Sequence, residues 1–366
     1  MKFICTKENL ARGLHAVSRA ASKNISLPIL NNVLLVADGG GVKLQTTNLE
    51  VAVTTTVRAK VEVPGRFTAN SRLLTEYVSA VANEKLTIEA SPDGLRIMSD
   101  NTDSTITGLS ADEFPILPTI HNGISATVPT SVFRTALQET VFSAANDESR
   151  PEISGVYALF QDERITLAAT DSYRLSERVI QPTTPPSGVA KAIIPLRAAQ
   201  EILRILDTES NETIITIDER QALIQCGETE LITRLIEGQY PDYQQIIPKK
   251  NDTVVVIPKE ELVHAIKAAS LFSQPGVHDL AIHIGSDNTL TLKAASAQTG
   301  HHTATVTATV EGPEKDVVFN NRYLLEGVQS LPGNDIRLEF GDPQVPGVLR
   351  STSTKDAVYL IMPIRQ

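Results

Sequence analysis

At 366 residues the chain is roughly two or three times the usual domain length, so several hydrophobic cores are expected rather than one. A hydrophobic fraction of 41% with 21% charged residues, and no acidic tail, basic arm or low-complexity tract, excludes a disordered chain. The formal charge of -10 weighs against a nucleic-acid partner, because phosphate affinity comes from Lys and Arg, unless the cations are gathered on one face.

Taken in chain order, Met1-Lys2-Phe3-Ile4-Cys5 runs straight into alternating and then helical patterning, without the features of a signal peptide. No apolar run approaches bilayer-spanning length, so a cytoplasmic location and no membrane partner are expected. Thr6-Lys7-Glu8-Asn9-Leu10, followed by Leu14, opens an amphipathic helix. Asp38-Gly39-Gly40-Gly41 marks a hairpin turn, residues 51–57 are β-rich, and Asn70-Ser71-Arg72-Leu73-Leu74 begins a second helix. Leu86-Thr87-Ile88-Glu89 alternates as a strand, Pro92-Asp93-Gly94 turns, Phe114-Pro115 closes the segment, and a polar join follows at Asn122-Gly123.

The same order then returns. Pro129-Thr130-Ser131-Val132-Phe133 leads to Leu137, Pro195-Leu196-Arg197-Ala198-Ala199 matches the second helix, Ile214-Ile215-Thr216-Ile217 the strand, and Tyr240-Pro241 the close. After the polar stretch at 249–252 it returns a third time. Pro258-Lys259-Glu260-Glu261-Leu262 leads to Ile266, residues 303–310 are a Thr-rich strand pattern, and Asn320-Asn321-Arg322-Tyr323-Leu324, Ile336-Arg337-Leu338-Glu339 and Met362-Pro363 complete the copy. Arg72, Arg197 and Arg322 are spaced by an identical 125 residues. Three copies, 1–122, 123–250 and 251–366, each reading strand, helix, strands, helix, strands, predict an α+β fold with antiparallel sheets.

Motifs of the common enzyme classes are missing: there is no phosphate-cradling loop, dinucleotide turn, His-Glu-x-x-His pair or Gly-x-Ser-x-Gly elbow, and no cofactor is expected. His301 and His302 are neighbours in a strand pattern, so they face opposite sides of a sheet and are ill placed to share a metal. Cys5 and Cys226 lie far apart without ligand-type neighbours and read as small core hydrophobes. Asp171 stands without a second carboxylate or a histidine nearby, which suits a turn Asp bonding backbone N–H groups better than a catalytic acid.

Six blocks stand in order along the whole chain: Leu27-Pro28-Ile29-Leu30, Asp112-Glu113-Phe114-Pro115, residues 149–155, Thr170-Asp171-Ser172-Tyr173-Arg174-Leu175, Gly238-Gln239-Tyr240-Pro241-Asp242-Tyr243, and residues 359–365. Together they resemble the DNA polymerase III β subunit family, the bacterial sliding clamps. The resemblance implies three repeated clamp domains, two such chains closing head to tail into a ring homodimer, sheets outside and two helices per domain lining a hole for double-stranded DNA. It implies a non-catalytic processivity factor, with the polymerase III α subunit, the clamp loader and repair proteins docking through short peptides.

Carried over residue by residue, Arg72, Arg197 and Arg322 face the duplex, joined by Arg12, Arg19, Lys23, Asn24, Arg134, Arg150, Arg204 and Lys267. Asn24 stands where the family has an Arg. The peptide pocket falls on Ile153, Thr170, Ser172, Tyr173, Arg174, Leu175, Pro241, Gln245, Ile246, Leu360, Met362, Pro363, Ile364 and Arg365. Tyr173, Gln245 and Gln366 depart from the family pattern. Leu271 and Phe272, opposite Ile106, match the dimer seam. Two rival readings remain at this point: an enzyme with a cleft around Asp171 and Arg174, and a repeat protein with a purely structural role.

Overall fold

Every helix entry read from the sequence starts a helix, and the six have nearly repeating lengths. They are α1 (Lys7–Val17), α2 (Ser71–Ala80), α3 (Thr130–Val141), α4 (Leu196–Ile205), α5 (Lys259–Ser270) and α6 (Asn321–Ser330). Side-chain caps fix several starts: Thr6 accepts from the Asn9 N–H, Asn70 from that of Leu73, and Asn320 from those of Arg322 and Tyr323. The computed structural model describes residues 1–21, 26–120, 122–147, 149–206, 210–248, 250–274, 276–342 and 344–365. Lys23, Asn24 and Gln366 therefore lie outside the described residues.

The chain divides into two compact units, and these cut across the repeat. The first comprises 1–131, 182–190 and 197–235. One of its sheets runs Lys60–Val63, Lys2–Thr6, Lys85–Ser91, Gly94–Met98, Asp103–Ile106. The other has eight strands in the order Ile124–Pro129, Glu212–Ile217, Gln221–Cys226, Thr229–Arg234, Val51–Val57, Gly41–Thr47, Asn32–Asp38, Gly65–Asn70. Strands of the first and second copies thus share one ladder, joined where Thr229 pairs with Thr55 and Thr233 with Val51. The buried hydroxyls of Thr55 and Thr229 are 2.8 Å apart across that join.

The second unit comprises 132–181, 191–196 and 236–366. Its nine-stranded sheet runs Ala190–Pro195, Gly155–Gln161, Arg164–Thr170, Arg174–Ile180, Ala357–Ile361, Gly347–Ser351, Asp335–Phe340, Thr253–Pro258, Thr309–Glu311. Here the second and third copies meet, Arg174 pairing with Ile361 and Arg178 with Ala357. A four-stranded sheet, Gly300–Thr307, Thr289–Ser296, Asp279–Gly285, Lys315–Asn320, completes the unit.

The Thr-rich stretch expected as one strand over 303–310 is broken. It pairs in the four-stranded sheet to Thr307, then passes to the nine-stranded sheet, where Val254 pairs with Glu311. Buried Ala308, its N–H bonded to Asn288 O at 2.9 Å, is the crossing point.

Alternation along the strands sends one row of side chains against the helices. Val255, Ile257, Leu280, Ile282, Ile336 and Leu338 meet Leu262, Ile266, Leu324 and Val328 of α5 and α6 in one fully buried core. Glycine lets the helices lie close on the sheets. A Cβ at Gly13 of α1 would stand 2.4 Å from Val57 Cγ2, and one at Gly327 of α6 would stand 2.2 Å from the Tyr359 ring. Cys5 and Cys226 are both buried, and burial pushes the Cys5 thiol up to about 12.

Candidate functional site

The turn at residues 170–174 is built by its own side chains. Thr170 Oγ1 donates to Arg174 O at 2.6 Å and accepts from the Ser172 N–H at 3.1 Å. Asp171 Oδ1 accepts from the N–H groups of Tyr173 and Arg174 at 2.9 and 3.0 Å, while its Oδ2 takes Arg174 Nε at 2.9 Å. Both carboxylate oxygens are thus engaged in holding the turn, which is the role read for Asp171 from the sequence and not that of a catalytic acid. Ser172 sits at φ 79, in the left-handed region, and this throws the Tyr173 side chain outward to 64% exposure.

Arg174 lies beneath the turn. Its guanidinium also bonds Glu326 and donates to Phe142 O at 2.7 Å, and it covers the Tyr323 ring at 4.3 Å from the centroid. Burial alone would lower its pKa, but Glu326, Tyr359 and Asp171 outweigh that and hold it above its ordinary value. The closing strand then fixes the C-terminal segment: Met362 N–H donates to Tyr173 O at 2.8 Å and Ile364 N–H to Val318 O at 2.7 Å.

Between these elements is an open cavity of about 550 Å³, lined by Ser172, Tyr173, Val277, Asn320, Tyr323, Met362, Pro363, Ile364 and Arg365. Six of these were read from the sequence; Val277, Asn320 and Tyr323 were not. The helix-entry motif Asn320-Asn321-Arg322-Tyr323-Leu324 was the available signal, since residue Tyr323 is one position past the repeat arginine and the cap Asn320 two before it.

The other assigned pocket positions lie outside the lining of this cavity. Ile153, Leu175 and Leu360 are 2 to 4% exposed and belong to a core with Tyr240 and Tyr243: Leu175 and Leu360 sit opposite each other on paired strands and turn inward, and Ile153 ends a short 3-10 turn packed against them. Thr170 and Arg174 support the turn rather than line the cavity. Pro241 is half-buried, whereas Gln245 and Ile246 are exposed in a short 3-10 turn, Gln245 donating to Asp242 at 2.6 Å. These three lie beside the tyrosine core, in which Tyr157 stacks on Tyr240 at 4.8 Å and Tyr243 donates to Glu177 at 2.5 Å.

The repeat arginines hold one structural position. Arg72, Arg197 and Arg322 are each the second residue of a ten-residue helix, and each is exposed. Arg12, Arg19 and Lys267 are exposed as well, while Arg134 is half-buried on α3. Arg204, half-buried, pairs with Glu201; burial lowers its pKa and the charge of Arg19 adds to that shift. Arg150, assigned with them, donates from its guanidinium to Ser172 Oγ at 2.7 Å, beside the cavity.

Comparison with known proteins follows the same three-part division. Profiles for the DNA polymerase III beta subunit match residues 1–118 (N-terminal domain), 127–242 (central domain) and 244–365 (C-terminal domain). The chain belongs to the DNA polymerase III beta subunit family. The beta sliding clamp of Synechocystis sp. is 29% identical over 389 residues, covering 100% of this chain and 99% of the relative. The DNA polymerase sliding clamp of Bacillus subtilis superimposes with a TM-score of 0.95 at 26% identity, and the DNA polymerase III beta subunit of Thermotoga maritima with 0.94 at 25%; each covers 100% of this chain and 99% of the neighbour. As in that family, the fold is three α+β clamp domains with antiparallel strand pairing and six helices.

Of the residues assigned to a beta-subunit dimer seam, Leu271 is 72% exposed, and Phe272 is half-buried with its ring 5.3 Å from that of His302. Ile106 is only 6% exposed, so its side chain is already part of its own core rather than offered at the sheet edge. Among the described residues no three His, Cys, Asp or Glu side chains form a metal-binding group, and no helix is long and apolar enough to cross a membrane.

Proposed function

We propose that the chain is a cytoplasmic sliding clamp: two copies join head to tail, encircle duplex DNA and tether the polymerase III α subunit, the clamp loader and repair proteins to it. The observation that carries the DNA side is the exposed arginine at the second residue of α2, α4 and α6. In this reading it answers the objection raised by the net charge of -10, since cations recurring at one helix position can serve phosphate contacts although the total is acidic. A protein that slides cannot rely on base-edge contacts, each worth about 1 to 3 kcal/mol of sequence discrimination, because they would trap it. Phosphate contacts are sequence-independent and exchange readily. The clamp is non-catalytic and acts by raising the concentration of its partners at the template.

The docking site in this reading is the cavity walled by Tyr173, Tyr323 and Met362, where a thioether and two rings suit short apolar peptides of varied sequence. The subunit contact uses Leu271 with Phe272 of one copy and the outer strand Asp103–Ile106 of the other, the last strand of its sheet.

The decisive experiment replaces Arg72, Arg197 and Arg322 together by Ala. Binding to short linear duplex is expected to weaken and its salt dependence to flatten, with retention on closed circular DNA falling much less, because topology holds a closed ring. Wild-type affinity and salt slope in that variant would remove these helices from the DNA interface. Leu271→Ala with Phe272→Ala should yield monomers in light scattering, each lost contact being worth about 1.5 to 3 kcal/mol.

A further inference from the structure

Two cations on the helices assigned to the duplex do not stand alone. On α2, Arg72 Nε is 2.7 Å from Glu76 Oε1, and the two side chains are 73% and 62% exposed. On α4, Arg204 Nη1 is 2.6 Å from Glu201 Oε2, with exposures of 31% and 23%. Arg197 and Arg322, at the same helix position as Arg72, have no carboxylate partner among the described residues.

Helix stability is a weak reason for these glutamates. A pair three or four residues apart adds little to a helix as such, and Gln forms helix about as well as Glu. Each carboxylate, however, competes for its arginine with any phosphate that approaches, and adds a negative charge to the same surface. At Arg204 the competition has a second purpose: Arg19 crowds it with like charge, and Glu201 offsets that repulsion.

We infer that Glu76 and Glu201 attenuate the hold on DNA, acting as built-in counterions that keep Arg72 and Arg204 between phosphates. The inference rests on the reading of these helices as duplex-facing. Forming an Arg–phosphate contact then means breaking an Arg–Glu pair, so the net gain is small. Stepping to the next phosphate passes through the intrahelical pair instead of a bare cation. Both effects favour movement over grip. The division of labour among the arginines follows: Arg197 and Arg322 attract, while Arg72 and Arg204 are buffered.

The test uses the full-length protein with Glu76→Gln, Glu201→Gln and both, binding a short duplex followed by fluorescence anisotropy over a range of salt. The double variant should bind roughly tenfold tighter at low salt, with the slope of log K against log salt steeper by about 0.9 for each cation released. Tracked on long DNA, it should also diffuse more slowly. In an Arg72→Ala background, Glu76→Gln should lose most of its effect, because it acts through that arginine. Unchanged affinity and slope would overturn the inference, as would a gain of equal size without Arg72, which would report only overall charge. If the triple arginine variant loses duplex binding while the glutamine variants gain none, attenuation fails and the DNA interface stands. If neither set changes binding, the interface itself is misplaced. An unaltered melting temperature is expected for Glu76→Gln, at an exposed pair, and a lower one for Glu201→Gln, whose half-buried pair offsets Arg19; binding is therefore compared well below both melting transitions.

Discussion

Two turns in the molecule share one backbone and present different surfaces. In residues 47–51, Thr47 Oγ1 donates to Val51 O at 2.9 Å and accepts from the Leu49 N–H at 3.0 Å, while Asn48 Oδ1 accepts from the N–H groups of Glu50 and Val51 at 3.0 and 2.8 Å. Every one of these bonds has a counterpart in residues 170–174, and the left-handed residue is shared too, Leu49 at φ 77 and Ser172 at φ 79. Attachment of the closing strand also matches: Arg234 N–H donates to Glu50 O at 3.0 Å, as Met362 N–H does to Tyr173 O at 2.8 Å. Asn48 and Leu49 stand for Asp171 and Ser172 without altering the frame, and the difference in surface lies in three further positions. Glu50, Val51 and Arg234 stand where the later turn has Tyr173, Arg174 and Met362. The hydrogen-bonded frame belongs to the repeat, and an apolar recognition surface arises from a few side chains mounted on it.

The largest contrast should appear on removing the residue beneath each turn. Arg174→Ala leaves Asp171 and Glu326 without their shared guanidinium, a loss of about 3 to 5 kcal/mol for a largely buried pair. Val51→Ala, at the matching place, removes only apolar volume and should cost about 2 kcal/mol. Urea titration of both variants measures the difference; equal losses would mean that Arg174 contributes packing alone.

Next in size is the surface itself. Tyr173→Ala with Met362→Ala should raise the Kd of a polymerase-derived peptide by about a hundredfold or more, since pocket anchors carry a few kcal/mol each. Glu50→Ala with Arg234→Ala should leave it unchanged. Calorimetric titration separates the two, and an effect of similar size from both pairs would break the distinction drawn between the turns.

The smallest effects test what the turns have in common. Thr47→Val and Thr170→Val each remove two hydrogen bonds made by a hydroxyl and should cost about 1 kcal/mol apiece. A loss confined to one of them would show that the shared geometry conceals unequal loads.

Much of this was legible in sequence, and the limits have physical causes. Helix starts were visible because caps and apolar spacing are local, and the recurrence of Arg72, Arg197 and Arg322 survives as a plain interval. Asp171 was readable because a turn is also local. By contrast, Val277, Asn320 and Tyr323 reach the cavity from segments distant in the chain; the helix-entry motif marks Asn320 and Tyr323 as repeat positions but not as neighbours of Tyr173, and Val277 carries no mark at all. Ile153, Leu175 and Leu360 pack in the tyrosine core beside this cavity, a placement a block of matching residues does not give because it does not say which way each side chain turns. The kinship of the two turns was within reach, since Thr47-Asn48 and Thr170-Asp171 begin alike and both lie shortly before a strand.

The shared ladders have a consequence for how the chain can be taken apart. Residues 123–250 supply strands to both large sheets, through Thr229–Arg234 in one and Arg174–Ile180 in the other. A fragment cut at the polar joins would carry two freshly bared edges, each a row of unsatisfied N–H and C=O groups able to recruit another chain. Such a fragment should precipitate or form fibrils where the intact protein stays dispersed, so the three copies, though alike in sequence, are not interchangeable parts.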